Sequence, residues 1–333
     1  KATAPAPPAD PAAAASTASS IPLLREKQPP FPFLTILVSG GHNLLVLSRA
    51  AGDHTILGAS LDDSIGEAFD KTARLLEIQQ IPGGPHLERL AREGDADRYK
   101  LPKPLSKTRD PTLRANCDFS YAGLKSAVRQ LLCERLSAKA RETMGEMAVR
   151  QEFAHVAAAF QKVAVDHLAE RAERAIAWAK SSEPTLSAIV AAGGVAANGE
   201  VRRQLGAVAR RANLPLVCPP IRLCTDNGVM VAWTGVLRLR LGLAERPLAH
   251  SDDVSLFVEV RPKWPLGPRD ARSFTQQQQL AKRKEAQRAN AQRVNGAKAA
   301  KKHKRGNGGE EYSAAAQPNC AKQARDETPA DTA

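Results

Sequence analysis

The alternation of apolar and polar positions predicts a run of strands near the start of the structured region. Three short apolar segments begin at Phe33, Asn43 and His54, and glycine-containing turns separate them. A fourth apolar segment begins at Ala188 and ends at paired glycines, after which a polar helical segment follows. This order predicts a buried strand, a tight turn and a helix start.

Apolar residues at helical spacing predict the helices. The longest stripe runs from Met147 to Ala179, and we expect His155 and His167 beside it to be structural. Other helices are expected after a cap at Asp62 or Ser64, from 86 to 91, up to Leu136, up to Ala212 and from 229 to 241, with a further strand over 214–218. A strand meander followed by alternating helices and strands predicts an α/β fold with a mixed sheet covered by helices.

Composition separates this structured region from the two ends of the chain. Residues 1–28 are mostly Ala, Pro and Ser, and residues 267–333 are rich in Gln, Lys, Arg, Ala and Asn. Such segments bury too little apolar surface to offset the entropy of ordering them. We therefore expect one domain over residues 29–266 between two disordered ends, with a polar surface excursion over 94–116.

The net charge of +13 indicates a polyanionic partner, and much of it lies in the expected tail. Between Arg269 and Arg305 there are twelve Lys or Arg residues against Asp270 and Glu285. Such a segment is suited to contact nucleic acid through phosphates without reading its sequence. A solvated tail with no specific partner is the alternative.

Cysteine spacing and hydropathy indicate the cellular compartment and the relation of the chain to membranes. The five cysteines include no Cys-x-x-Cys pair and no metal-binding spacing with histidine, which favours a reducing compartment. No apolar run reaches the roughly 18 residues of a membrane span, so we expect no membrane partner.

Glycine-containing turns are the candidate sites for a ligand. The turn Ser39-Gly40-Gly41 offers consecutive backbone N–H groups and a hydroxyl, although a hairpin turn without a ligand has the same sequence. At Gly193, a residue without Cβ lets a nucleotide lie against the main chain. We expect a branched side chain at Gly40 or Gly193 to abolish ligand binding and leave the protein folded. Asn198 is suited either to cap the next helix or to turn its amide to the ligand.

Two further features have both a functional and a structural interpretation. The helix that follows the cap at Asp62 or Ser64 carries Asp63, Glu67, Asp70 and Lys71 away from its apolar face, which is typical of a solvated surface. Thr225 and Asp226 precede the last helix and are suited either to cap it or to face the mouth of the glycine turns.

Seven motifs in order resemble one family of enzymes. They are Leu37-Val-Ser-Gly-Gly-His42, Asp62-Asp-Ser-Ile-Gly-Glu-Ala-Phe-Asp-Lys71, Pro82-Gly-Gly-Pro85, Asp118-Phe-Ser-Tyr-Ala-Gly-Leu-Lys125, Ala192-Gly-Gly-Val-Ala-Ala-Asn198, Cys224-Thr-Asp-Asn-Gly228 and Val260-Arg-Pro-Lys-Trp-Pro-Leu266. Residues 31–266 resemble the tRNA N6-adenosine threonylcarbamoyltransferase (glycoprotease-like) family. The residues of these motifs are similar to those of the bacterial and mitochondrial branch, and especially to those of the mitochondrial form.

The resemblance implies an actin/Hsp70-like (ASKHA) fold of two lobes with the substrate between them. It implies transfer of the threonylcarbamoyl group from threonylcarbamoyl-adenylate to N6 of the adenosine beside the anticodon, in tRNAs that read codons beginning with A. It further implies a mitochondrial location, a possible homodimer and one divalent metal ion per subunit, of the iron or zinc kind.

The resemblance also assigns roles to residues. The substrate-binding residues are expected to be Leu37, Val38, Ser39, Gly40, Gly41, Asp70, Gly84 and Asn198, and the metal ligand is Asp226. Two histidines from the other lobe are expected to complete the metal site, yet the seven histidines of this sequence contain no His-x-x-x-His pair. We therefore expect this chain to be the second lobe, with the first lobe missing from the record or replaced by residues 1–28.

Three interpretations of this pattern stay open. The first is a truncated record of a working transferase, and the second is a non-catalytic binding or assembly subunit derived from the family. The third is a sugar- or acetate-kinase relative of the same superfamily. It is disfavoured because the motifs at residues 118–125 and 224–228 resemble those of the tRNA-modifying enzymes.

Overall fold

The computed structural model describes residues 29–243 and 266–274. They contain a five-stranded sheet in the order β3-β2-β1-β4-β5, whose strands are β1 (Phe33–Val38), β2 (Asn43–Ala50), β3 (Asp53–Ala59), β4 (Ile189–Ala192) and β5 (Leu216–Val217). The first three strands are antiparallel neighbours, whereas β4 pairs parallel to β1 and β5 pairs parallel to β4. The predicted mixed sheet is confirmed.

The helices within the described ranges are α1 (Ile65–Leu75), α2 (Gly84–Ala91), α3 (Pro111–Ala115), α4 (Ala122–Arg135), α5 (Ala138–Thr143), α6 (Glu146–Ser182), α7 (Gly199–Arg211) and α8 (Gly228–Arg240). Short 3-10 turns occupy Gly194–Ala197, Ile221–Leu223 and Ala271–Ser273. Each predicted helix is present within a few residues of its expected bounds. The short helices α3 and α5 were not predicted, since neither carries an apolar stripe and neither buries a residue.

The core lies between one face of the sheet and the long helix α6. Alternate residues of β1, Leu34, Ile36 and Val38, are fully buried, as the two-residue period of a strand requires. Phe160 of α6 packs edge-on against Phe69 of α1, with ring centroids 5.1 Å apart. The sheet, α1 and α6 therefore share one hydrophobic core.

The last described helix, α8, differs from the others because none of its residues is buried. Val229, Val231 and Leu239 are each at least 65% exposed. No helix in the described ranges has the length and apolar character to cross a membrane.

Residues after the expected boundary at Leu266 also belong to the packed fold. Gly267 lies against the backbone of His54, since a Cβ on this glycine would meet the His54 carbonyl oxygen. The Ser273 hydroxyl donates to the Leu57 carbonyl of β3, and Arg269 pairs with the buried Asp118. The rest of the expected tail and residues 1–28 lie outside the described residues.

The polar excursion over 94–116 ends in a buried residue rather than a surface one. Asn116 is 1% exposed, and its amide donates to the Asp118 carboxylate at 2.7 Å and to the Ser273 carbonyl at 3.4 Å. A polar side chain is buried here because its hydrogen bonds are satisfied, by Asp118 nearby and by Ser273 from a segment distant in the sequence.

The expectation that His167 is structural is supported by its surroundings. The imidazole is fully buried and lies edge-on to the rings of Phe119 and Tyr121, at centroid distances of 6.0 and 5.4 Å. Burial, assisted by the positive charge of Arg171, lowers the pKa of His167 to about 3. The native protein therefore holds this ring in its neutral form.

This pKa predicts a loss of stability in mild acid. Above pH 6.5 the ring is neutral in both states, whereas below it the unfolded chain binds a proton that the native state does not. We expect His167 to lower the free energy of unfolding by about 1.4 kcal/mol per pH unit below that point, down to about pH 3. His167→Gln should be less stable at pH 7 but flatter with pH, as measured by urea denaturation. An unchanged pH slope would contradict this assignment.

Candidate functional site

The turn between β1 and β2 is held by its own serine and leaves one side open. Ser39 Oγ accepts hydrogen bonds from the amides of Gly41 and His42, at 3.3 and 3.0 Å, and Ser39 N donates to the His42 carbonyl at 2.8 Å. The amide of Gly40 has no hydrogen-bond partner among the residues that the structure describes. A Cβ on Gly40 or Gly41 would meet no atom within 4 Å, so both face open space.

The start of α1 lies directly against this turn. The Ser64 hydroxyl caps the helix by accepting from Glu67 N at 3.2 Å, and it donates to the Gly40 carbonyl at 2.6 Å. A Cβ on Gly66 would lie 2.6 Å from the Ser39 carbonyl oxygen, so only glycine permits this approach. The positive end of the α1 dipole therefore lies at the open turn, where it favours a negatively charged ligand group.

Gly193 joins the β4 turn to the end of β1. Its φ is +98°, and a Cβ at this position would lie 2.2 Å from the Val38 carbonyl oxygen. The glycine is thus required by the packing of the chain on itself, because any side chain here would collide with β1. The expectation that Gly193→Val leaves the protein folded is therefore wrong, whereas Gly40 fits the expected open position.

Asp70 fixes the proline-glycine turn rather than serving only as a solvated charge. Its Oδ1 accepts from the amides of Gly83 and Gly84, at 2.8 and 3.1 Å. Its neighbours on the polar side do form ion pairs, with Lys71 bonded to Asp63 at 2.7 Å and to Glu67 at 2.8 Å. The interpretation of this helix face as a solvated surface holds for those residues and fails for Asp70.

Asn198 takes the capping role of the two that the sequence allowed. Its Oδ1 accepts from Val201 N at 3.0 Å at the start of α7, and its Nδ2 donates to Gln161 Oε1 at 3.3 Å. Both ends of the amide are therefore engaged within the chain, and the side chain is 9% exposed.

Two residues that the sequence did not single out link these turns. Glu88 of α2 accepts from Gly199 N at 3.0 Å, which connects the proline-glycine turn to the start of α7. Arg202 donates from Nε to the Ala196 carbonyl at 2.6 Å and from Nη2 to the Pro219 carbonyl at 3.4 Å. Their partners are 111 and 6–17 residues away, so no local spacing identifies them.

Asp226 lies on the loop that follows this connection. It is exposed, and the helix cap is supplied instead by Asn227, whose Oδ1 accepts from Met230 N at 3.1 Å. Its neighbour Thr225 is near Gly194, since a Cβ on that glycine would lie 3.9 Å from Thr225 Cγ2. Within residues 29–243 and 266–274, no three His, Cys, Asp or Glu side chains are grouped to hold a metal ion. These residues alone do not fit a complete metal centre.

The expected substrate-binding residues are thereby brought to one edge of the sheet. β1 and β4 are parallel neighbours, so the turns that follow them lie at the same end. Val38 can contribute only its main chain to a ligand, since its side chain is fully buried. Asp70 bonds the amide of Gly84, and Glu88 bonds the amide of Gly199, the residue after Asn198. These bonds connect Gly84 and Asn198 to the same edge.

This arrangement defines an α/β protein whose glycine turns lie at the carboxyl edge of its parallel strands, which is where such sheets generally bind ligands. Residues 15–233 match the TsaD family, described as tRNA N6-adenosine threonylcarbamoyltransferase, and the chain belongs to this family. The family has an actin-like (ASKHA) fold, which confirms the expected fold class.

Individual relatives agree with the family assignment. A protein of Arabidopsis thaliana named probable tRNA N6-adenosine threonylcarbamoyltransferase, mitochondrial, is 46% identical over 73% of this chain and 50% of its own length. The tRNA N6-adenosine threonylcarbamoyltransferases of Gluconobacter oxydans and Brucella ovis are 44% and 40% identical, over 72% and 74% of this chain and 59% and 62% of their own. The chain thus spans about half to three fifths of the length of these relatives.

The same substitution is expected to destabilise the protein at Gly193 and to have little effect at Gly40. Gly193→Ala should lower the free energy of unfolding by about 2 kcal/mol or more, because it adds a side chain at positive φ and against the Val38 carbonyl. As the matched control, Gly40→Ala should change it by less than about 0.5 kcal/mol, since its Cβ faces open space. Urea denaturation of both variants measures the difference, and equal stabilities would contradict the packing described for Gly193.

Proposed function

We propose that the protein modifies tRNA by transferring a threonylcarbamoyl group from threonylcarbamoyl-adenylate to N6 of the adenosine beside the anticodon, in tRNAs that read A-starting codons. Membership of the transferase family supports the reaction. The single structural observation that carries the proposal is the open glycine turn at Gly40, which lies on the helix start at Ser64.

The chemistry of the substrate matches the groups at this edge. An adenylate carries a phosphate. The Gly40 amide, which has no partner among the described residues, and the positive end of α1 both favour negative charge. Gly41 and Gly84 leave space for the ligand beside the main chain, since a Cβ on either would meet nothing closer than 3.9 Å. Leu37, Val38 and Ser39 then supply the strand end and the hydroxyl that shape the turn.

In the proposed reaction, the N6 amine attacks the carbamoyl carbon of the adenylate. A C–N bond forms, the bond from that carbon to the phosphate oxygen breaks, and AMP leaves as N6 loses a proton. Backbone donors fixed before the reaction can stabilise charge on the carbonyl oxygen without reorganising, which is the general source of such rate enhancement. Asp70 and Glu88 accept from the amides of Gly83 and Gly199, and these bonds hold the neighbouring turns in place.

The family is metal-dependent, and the identity of its metal here stays a proposal. We assign Asp226 as one ligand of a divalent iron- or zinc-like ion. One carboxylate is too few for such a centre, and two histidine ligands are expected from a further lobe. We derive no step of the reaction through this metal.

The partners and location follow from the same assignment. The substrate RNA is tRNA, and a homodimer is possible. The mitochondrial relative from Arabidopsis thaliana supports a mitochondrial location for this protein.

A non-catalytic binding or assembly subunit is the second candidate function. The observation that favours it is helix α8, whose apolar residues Val229, Val231 and Leu239 are exposed in the described structure. An exposed apolar helix is typical of a surface that contacts another protein or lobe.

Asp70 provides the test of adenylate binding. Asp70→Ala removes the acceptor for two backbone amides and should weaken binding of a non-hydrolysable threonylcarbamoyl-adenylate analogue about tenfold, measured by calorimetry. Asp70→Asn keeps an oxygen at this position and should bind more tightly than the alanine variant. Asp63→Ala is the control, since among the described residues Asp63 pairs only with Lys71. Equal affinities in all three variants would remove Asp70 and the glycine turns from the site.

Turnover separates the two candidate functions. We expect residues 1–333 alone, given synthetic threonylcarbamoyl-adenylate, a divalent metal and unmodified tRNA, to form no modified nucleoside detectable by mass spectrometry. The physical reason is that Asp226 supplies one metal ligand and the opposing lobe supplies the others. Turnover would contradict this expectation and would make His42, next to the open turn, the first replacement ligand to test.

A further inference from the structure

The segment leading into α4 carries a local surplus of positive charge. Between residues 100 and 129 there are seven basic side chains and two acidic ones, Asp110 and Asp118. Asp110 is occupied in capping α3, where its Oδ1 accepts from Thr112 N at 2.8 Å, and Asp118 is buried against Arg269. Neither carboxylate therefore neutralises the exposed cations of this segment.

Six of these seven cations form no ion pair within the residues that the structure describes, and the exception is Lys103, which pairs with Glu170 at 2.8 Å. Lys162, Arg203 and Arg92 form ion pairs of 2.5 to 2.7 Å with Asp97, Glu200 and Glu88. Within the part of the chain that the structure describes, no ion pair involves the basic surface, which we define as Lys107, Arg109, Lys125 and Arg129. Their charge is available to a polyanion without first breaking an internal pair.

The basic surface begins beside the candidate site. Asp62 accepts from Tyr121 N at 2.8 Å and from the Ser120 hydroxyl at 2.6 Å, which anchors the start of α4. Two residues after Asp62, Ser64 donates to the Gly40 carbonyl at 2.6 Å. Lys125 lies in the first turn of α4, and Arg129 follows about 6 Å further along the helix axis.

The loop before α3 places Lys107 beside the start of α4. It encloses a cavity of about 290 Å³, lined by Lys103, Ser106 and Lys107 on the loop and by Ser120 and Gly123 at the helix start. Lys103 pairs with Glu170, and the hydroxyls of Ser106 and Ser120 donate within the chain, so Lys107 supplies the ammonium group at this cavity for a phosphate oxygen.

Resting on the proposed function, we propose that this basic surface binds the phosphate backbone of the substrate RNA and guides the target adenosine to the open turn at Gly40. An RNA that delivers a base to this turn must pass close to the start of α4, which is one short link from the turn. The contacts are to phosphate, so they position the RNA without reading its sequence.

The test compares two double variants of the full chain. Lys125→Gln with Arg129→Gln removes two unpaired cations, and Arg203→Gln with Arg211→Gln removes two that pair with Glu200 and Glu173. Binding of an unmodified tRNA transcript is measured by fluorescence anisotropy between 50 and 250 mM salt, roughly the range over which phosphate contacts weaken. Thermal unfolding checks that each variant is folded.

The first double variant should bind the RNA at least about tenfold more weakly at low salt. The slope of log affinity against log salt should fall by about 1.4 to 1.8, since each lost phosphate contact contributes about 0.7 to 0.9. The control pair should keep the wild-type slope. Equal slopes in the two double variants would overturn the proposal, as would a first variant that binds RNA normally and loses only polyglutamate, an acidic-protein mimic.

Adenylate binding in the same proteins separates this proposal from the proposed function. Both double variants should bind the adenylate analogue with wild-type affinity. If the wild-type chain binds adenylate and the first double variant keeps the wild-type salt slope of RNA binding, only the basic-surface proposal is refuted. A chain that shows the predicted RNA slopes and binds no adenylate refutes the adenylate site and supports the basic surface as an RNA-binding site.

Discussion

The contact between Gly193 and the Val38 carbonyl is the constraint on which the candidate site depends. It brings the turn after β4 against the end of β1, and it is possible only because residue 193 has no Cβ and adopts a φ of +98°. Parallel pairing of β1 and β4 directs both turns to one edge. This close contact places the Gly194–Ala197 turn beside the Ser39–Gly41 turn, so one ligand can contact both.

Side-chain hydrogen bonds to backbone groups connect the other turns to this edge. Asp70 holds Gly83 and Gly84, Glu88 holds Gly199, and Asn198 caps α7 while bonding Gln161. Each bond contributes roughly 1 kcal/mol, but its larger effect is to fix the backbone of these turns before a ligand arrives. The edge therefore relies on main-chain geometry that the Asp70 and Glu88 carboxylates hold in place.

The amino-acid sequence predicts the elements of the fold well because their signals are local. The strands follow from short apolar segments, and α6 follows from its stripe of apolar residues at helical spacing. Contacts between residues that are distant in the sequence cannot be predicted from these local patterns. Asn116 is buried by partners that include Ser273, 157 positions away, and Gly193 is required by Val38.

The candidate site shows the same division. Its glycine turns could be predicted from composition, since glycine marks close approach of the main chain. The role of each polar residue could not: Asp70 has the pattern of a solvated helix face, and Glu88 has no distinguishing neighbour in the sequence. A carboxylate that accepts from backbone amides has no signature until the fold places those amides beside it.

Hydrogen exchange of the full chain, with and without the adenylate analogue, tests most directly whether this edge is the ligand site. The account predicts slower exchange on binding in peptides that contain the Ser39–His42 turn, the Pro82–Pro85 turn and the Gly193–Asn198 turn together. Protection confined to other parts of the chain, with these three turns unchanged at saturating ligand, would contradict it.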